Sequence, residues 1–208
     1  MKRRYENKIV IGITGGAGSG KSTVSDFLVN RFDAEFIHCD VIAHELMEPG
    51  GATYGPLLEE YGKGILEDGS DEISREKLIL AVRASEKGFD RLNSITHPLV
   101  TEEVLRRMEK SSHRIVLVEA ALLIESGIDR LCDDVWFVYA TRQERILRIK
   151  ASRDWDEAKI VSILENQLSD EGFRAASTFV LENHNGSESW KKEAEARIMF
   201  LDADEKNR

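Results

Sequence analysis

The run Gly15-Gly16-Ala17-Gly18-Ser19-Gly20-Lys21-Ser22 satisfies G-x-x-x-x-G-K-S/T at every fixed position, and it limits the possible folds more than any other stretch of the chain. Lys8 to Thr14 before it is almost continuously apolar, and Val24, Phe27 and Leu28 after it recur at helical spacing. A glycine-rich turn between a strand and a helix wraps its backbone N–H groups around phosphate oxygens. That wrapping requires positive φ angles and leaves no room for side chains, while the following helix adds the positive end of its dipole. In this reading Gly15, Gly16, Ala17, Gly18, Ser19 and Gly20 hold the phosphates. Lys21 reaches the β- and γ-phosphates as a point charge, Ser22 ligates Mg²⁺, and Thr23 assists beside it.

Short apolar runs recur along the chain, separated by stretches of helical periodicity, which is the pattern of a parallel sheet covered by helices. The expected strands are Lys8 to Thr14, Glu35 to Cys39, Arg114 to Glu119, Val135 to Tyr139 and Thr178 to Leu181. Their unbroken apolar character implies burial on both faces. Helices are expected at Lys21 to Arg31, Ser74 to Ala84, Leu99 to Lys110, Arg142 to Arg153, Asp156 to Leu168 and Ser187 to Phe200, with a frayed charged tail from Asp202. The fold class is therefore α/β, a three-layer P-loop NTPase fold with a five-stranded parallel sheet flanked by helices. All 208 residues form one kinase-like domain in this reading. Its core is 8–46, 97–141 and 175–200, a glycine-punctuated substrate-binding insertion occupies 47–96, and an arginine-rich helical lid occupies 142–174.

A formal charge of −9 leaves no broad basic surface, which argues against nucleic acid as a partner. The longest apolar run, Val135 to Ala140, is far short of the roughly 20 residues that span a bilayer. Lys2, Arg3 and Arg4 precede an apolar stretch, Ile9 to Ile13, that is too short for a secretory leader. Cys39 and Cys132 stand far apart in no metal or redox spacing. The expectation is a cytoplasmic protein, monomeric or a small homo-oligomer.

A GTPase switch would carry an N-K-x-D segment late in the chain, which is absent, and 208 residues leave no space for the partner domains of a motor or transporter. A small-molecule kinase needs a carboxylate at the end of a neighbouring strand to accept the acceptor's proton. Asp40 ends the second expected strand, although an aspartate there also suits a helix N-cap for Val41 onward.

At this point the sequence resembles the dephospho-CoA kinase family. Ile11 to Val24 is similar to that family's G-L-T-G-G-I-G-S-G-K-S-T-V, and Phe36 to Gly50 to its V-I-D-A-D-x-I-A-R-x-x-x-x-P-G. His38 stands in place of the first aspartate and His44 in place of the arginine. His97-Pro98-Leu99-Val100 matches H-P-x-I/V, with Pro98 suiting the first turn of a helix. Val118 to Glu125 resembles D-x-P-L-L-F-E, with Glu119 at the acidic position and Ala121 where proline is usual. Arg142 to Arg148 with Ser152-Arg153-Asp154 resembles the lid, one residue longer than the family's R-L-x-x-R spacing, and Gln167 with Phe179 to Asn183 follows the family order.

The resemblance implies ATP and Mg²⁺ as cofactors, and the ribose 3′-hydroxyl of dephospho-CoA as acceptor. Asp40 would be the base, with Lys21, Arg148 and Arg153 bearing transferred charge and Arg145 a lesser candidate. Glu119 and Ser22 would serve the metal, Asn183 would lie near the adenine, and Leu46 to His97 would close over the acceptor. Another P-loop kinase acting on a nucleoside, nucleotide or sugar, or a nucleotide-dependent switch, is the alternative.

Overall fold

The computed structural model describes residues 5–206; Lys2, Arg3 and Arg4 lie outside them. Strand β1 is Ile9–Thr14 and is followed by the glycine loop and helix α1, Lys21–Phe32. Strand β2 is Glu35–His38, and four helices follow: α2, Cys39–Glu45; α3, Tyr54–Tyr61; α4, Arg75–Arg83; and α5, Gly88–Lys110. Then come β3, Ile115–Glu119, and β4, Asp134–Tyr139. Helices α6, Arg142–Ser152, α7, Glu157–Glu165, and α8, Asp170–Ala176, lead to β5, Phe179–Glu182, and α9, Ser189–Lys206.

The chain divides into two compact units. One ends at Ile37 and resumes at Ser111, and the other is His38–Lys110. In the first, the strand order is β2-β3-β1-β4-β5, with β1 parallel to β3 and β4, and β4 parallel to β5. The chain leaves β1 toward the β2 edge and leaves β4 toward the β5 edge, so connections diverge at the carboxyl ends of β1 and β4. Ligands of open α/β sheets bind in such a crevice.

All of β1 and β3 is buried, because helices cover both faces. Ile9, Ile11 and Ile13 pack with Val24 and Leu28 of α1 and with Trp190, Ala194 and Ile198 of α9. On the opposite face Phe137 stacks on Phe173 of α8, ring centroids 5.1 Å apart. Each of these fully buried aliphatic side chains contributes about 2 kcal/mol.

The second unit has its own core of Leu57, Ile65, Leu78 and Val82. It is wider than the expected insertion at 47–96, because α2 packs on α5 and α5 begins eleven residues before its expected start at Leu99. Pro98 is therefore inside a helix rather than in its first turn. An interior proline removes the hydrogen bond to the carbonyl four residues back, here Ser94. Ser94 and Pro98 are exposed, so water can serve that carbonyl.

The tail differs too. Helix α9 continues past Asp202, whose carboxylate pairs with Arg114 next to β3. A stronger anchor is Asp134, which is buried at the start of β4. It accepts from Arg197 Nε at 2.8 Å and Nη2 at 2.7 Å, from Trp136 Nε1 at 2.7 Å and from Thr178 Oγ1 at 2.5 Å. Phe179 and Phe200 flank the guanidinium, with centroids at 5.4 and 5.2 Å. Removing one partner of such a pair leaves a buried charge uncompensated. Arg197→Ala is expected to lower the free energy of urea unfolding by roughly 3 kcal/mol; a loss near zero would show that α9 is held by its apolar face alone.

Candidate active site

The loop between β1 and α1 sorts its peptide groups by direction. Every carbonyl from Gly15 to Gly20 has a donor from the protein. Lys21 Nζ folds back onto Gly15 O at 2.9 Å and Gly16 O at 3.3 Å, and Ser19 N–H also reaches Gly16 O. Arg145 Nε donates to Ala17 O at 3.0 Å. Arg148 Nη1 reaches Gly18 O at 3.4 Å and Ser19 O at 3.0 Å, and Asn183 Nδ2 reaches Ser19 O at 2.8 Å. Val24 N–H closes the set on Gly20 O.

By contrast, the amides of Gly18, Gly20 and Ser22 donate to no protein atom among the described residues. Gly20 sits at φ 95°, and a side chain there would run into the Asn183 amide. Thr14 Oγ1 and Ser19 Oγ are buried without a hydrogen-bond partner among the described residues, and buried polar atoms of this kind suit a polar ligand or water. Unused amides at the start of α1 and orphaned hydroxyls beside them fit a phosphate anion.

A cleft of about 400 Å³ opens beside the loop, lined by Gly20, Thr23, Arg148, Asn183, Asn185 and Trp190. Its wall is the β5–α9 turn, which is fastened from α6. Glu144 accepts from Asn185 N–H at 2.8 Å, from Thr141 N–H at 2.9 Å and from Thr141 Oγ1 at 2.8 Å, closing a capping box on α6. These donors hold its carboxyl well below the usual range, at about 2. His184 lies 3.2 Å from Glu144 and 3.0 Å from Glu182, and the two carboxylates push its pKa up. Asn185 Oδ1 in turn accepts from Arg148 Nε at 3.0 Å.

The residues expected from sequence fall into distinct places. Gly15, Gly16, Ala17, Gly18, Ser19, Gly20, Lys21, Arg148 and Asn183 meet at the loop, with Ser22 and Thr23 exposed at the start of α1. Glu119 is buried at the end of β3, with Ser25 Oγ of α1 at 3.4 Å. Arg153 is exposed past α6, with its guanidinium over the Trp155 ring at 4.4 Å. Arg145, a lesser candidate by sequence, is the buried arginine of the segment at 7% exposure.

In the helical unit, Asp40 is exposed in the first turn of α2, and the cap is His38, not Asp40. The His38 Nδ1 accepts from Val41 N–H at 3.2 Å, so α2 starts two residues earlier than an aspartate cap would place it and the Asp40 carboxylate is not spent on capping. His44 borders a cleft of about 350 Å³ with Met47, Glu48, Pro49, Glu72 and Arg75.

Glu144, His184 and Asn185 were not singled out from sequence. The spacing Thr141-x-x-Glu144 does carry the capping-box signal, but its reach to the β5–α9 turn is a contact across 41 residues.

A profile of the dephospho-CoA kinase family matches residues 9–189, from β1 through the loop to the start of α9. The chain belongs to the dephospho-CoA kinase family. A dephospho-CoA kinase from Corynebacterium efficiens is 35% identical over 192 residues, covering 90% of this chain and 94% of the relative. A solved structure from Thermus thermophilus superposes with a TM-score of 0.80 at 25% identity, covering 94% of this chain and 98% of that one. The dephospho-CoA kinase of Campylobacter jejuni shares the fold, with a TM-score of 0.66 at 22% identity over 92% of this chain and 96% of that one.

Because the Glu144 pKa is lower in the folded chain than in the unfolded one, its stabilisation is present above about pH 4.5 and is lost as pH falls toward about 2. The Glu144→Gln variant is expected to show a shallower loss of thermal stability across that window than the parent. Identical acid slopes for the two proteins would rule Glu144 out as a main acid-sensitive group.

Proposed function

We propose that this chain transfers the γ-phosphoryl group of ATP to the ribose 3′-hydroxyl of dephospho-CoA, giving coenzyme A and ADP. The observation that carries the reading is the sorted loop: its carbonyls are satisfied by protein donors, while the amides of Gly18, Gly20 and Ser22 remain for phosphate oxygens. Membership of the family supports the acceptor.

In this mechanism the loop amides and the α1 dipole bind the β- and γ-phosphates. Lys21 leaves the Gly15 and Gly16 carbonyls for the phosphate, where it bears developing charge. Ser22 and, through water, Glu119 would hold Mg²⁺, which when bound neutralises charge on the β- and γ-oxygens. Asp40 accepts the hydroxyl proton; its carboxylate is exposed and not engaged as a cap, as a base needs. Arg153 supplies cationic charge from the far end of α6. Asn183 sits where the cleft beside the loop would take the adenine. No helix among the described residues is long and apolar enough to cross a membrane.

The test is ADP release from Mg²⁺–ATP with dephospho-CoA, uridine, a nucleoside monophosphate or gluconate offered in turn. Turnover is expected with dephospho-CoA, and turnover only with another acceptor would overturn the assignment. Lys21→Ala and Asp40→Asn are each expected to lower kcat by about 100-fold or more. An Asp40→Asn enzyme with unchanged kcat would remove the base.

A further inference from the structure

We infer that Arg145 and Gln167 form a clamp on Ala17 that positions the phosphate loop, and that Gly16 lacks a side chain in order to leave room for it. Arg145 Nε donates to Ala17 O at 3.0 Å, and Gln167 Oε1 accepts from Ala17 N–H at 2.9 Å and from Arg145 Nη2 at 3.1 Å. The ring is closed: two side chains bond each other and both bond one residue of the loop. Asp170 Oδ1, 3.4 Å from Nη1, balances the charge.

The N–H of Ala17 belongs to the peptide plane it shares with Gly16, and its carbonyl to the plane it shares with Gly18. The clamp therefore fixes two successive planes flanked by glycines, where rotation is otherwise least hindered. A flip of either plane would turn a carbonyl toward the anion. The Ala17 methyl is seated as well, against the small apolar cluster of Ile149, Ile160 and Leu164.

Gly16 supplies an independent observation. Its φ is not positive, so backbone conformation does not demand glycine there. A Cβ at Gly16 would instead occupy the space of the Arg145 guanidinium. That guanidinium is nearly fully buried and held at several points, so it could move aside only by releasing Ala17. Arg145 thus acts through the loop and is a positioning residue, distinct from the cations expected to meet phosphate.

The inference rests on the kinase reading only in taking a nucleotide phosphate as the loop's ligand, so the test reads binding of Mg²⁺–ATP alone by calorimetry. Arg145→Ala is expected to raise the Kd for Mg²⁺–ATP about tenfold, the order expected for a lost hydrogen bond to a charged group. In turnover the KM for ATP should rise by a similar factor while the KM for dephospho-CoA holds. Gly16→Ala should match it, and Gly16→Ala with Arg145→Ala should bind no more weakly than either single variant, because both changes remove one clamp. Should Arg145→Ala not fold, Arg145→Gln carries the same comparison.

Multiplicative losses in the double variant, an unchanged Kd in Arg145→Ala, or full affinity in Arg145→Lys, which keeps the charge without the fork, would each overturn the clamp. Absence of turnover with dephospho-CoA in the parent enzyme would instead sink the acceptor assignment and leave the binding comparison intact.

Discussion

A loop that turns its amides toward an anion must turn its carbonyls away, and buried carbonyls need donors as much as buried amides need acceptors. Much of the sheet unit's arrangement around the site meets that requirement. Arg145 and Arg148 stand one turn apart on α6 and reach the loop together; Asn183 arrives at the end of β5, and Lys21 returns from the first turn of α1. The sheet order supplies the geometry, because β4 lies beside β1 and β5 beside β4, all in parallel, and they deliver α6 and the β5–α9 turn to the side where the loop emerges.

Two kinds of positive charge follow from this. Arg145 and Arg148 are engaged by loop carbonyls and by the side chains of Gln167 and Asn185. Arg153, one residue past the end of α6 and on the surface beside Trp155, is not held in that way. One segment thus contributes both fixed donors to the scaffold and a solvent-facing cation, although helical periodicity alone makes its arginines look alike.

What could be read from the sequence was what is local. The five strands, the loop and α1 are local patterns of apolar residues and glycines, and each expected strand lies within one residue of its observed place at either end. Pro98 misled because a local rule, proline at a helix start, competes with packing that carries α5 straight through an exposed proline. The cap of α2 was not read on His38 for a similar reason, since aspartate is the commoner cap and imidazole a rarer one. In the site, the loop residues were legible, and Arg145, Arg148, Gln167 and Asn183 were named through the resemblance, but their contacts with the loop were not. Arg145 contacts Ala17 across 128 residues and Gln167 contacts it across 150, and no spacing along the chain encodes such a pairing. The same holds for Arg197 and Asp134.

The docking of α9 bears on how the protein is made. Trp190, Ala194, Ile198 and Leu201 cover the sheet face built by Ile9, Ile11, Trp136 and Val138, and the Arg197 partner of buried Asp134 lies in the same helix. Among the described residues all five strands precede α9, so the sheet face that α9 covers stays open, and Asp134 lacks its Arg197 partner, until that helix has been added. An apolar face left open in this way is prone to aggregate, and the docking of α9 is the step that closes it.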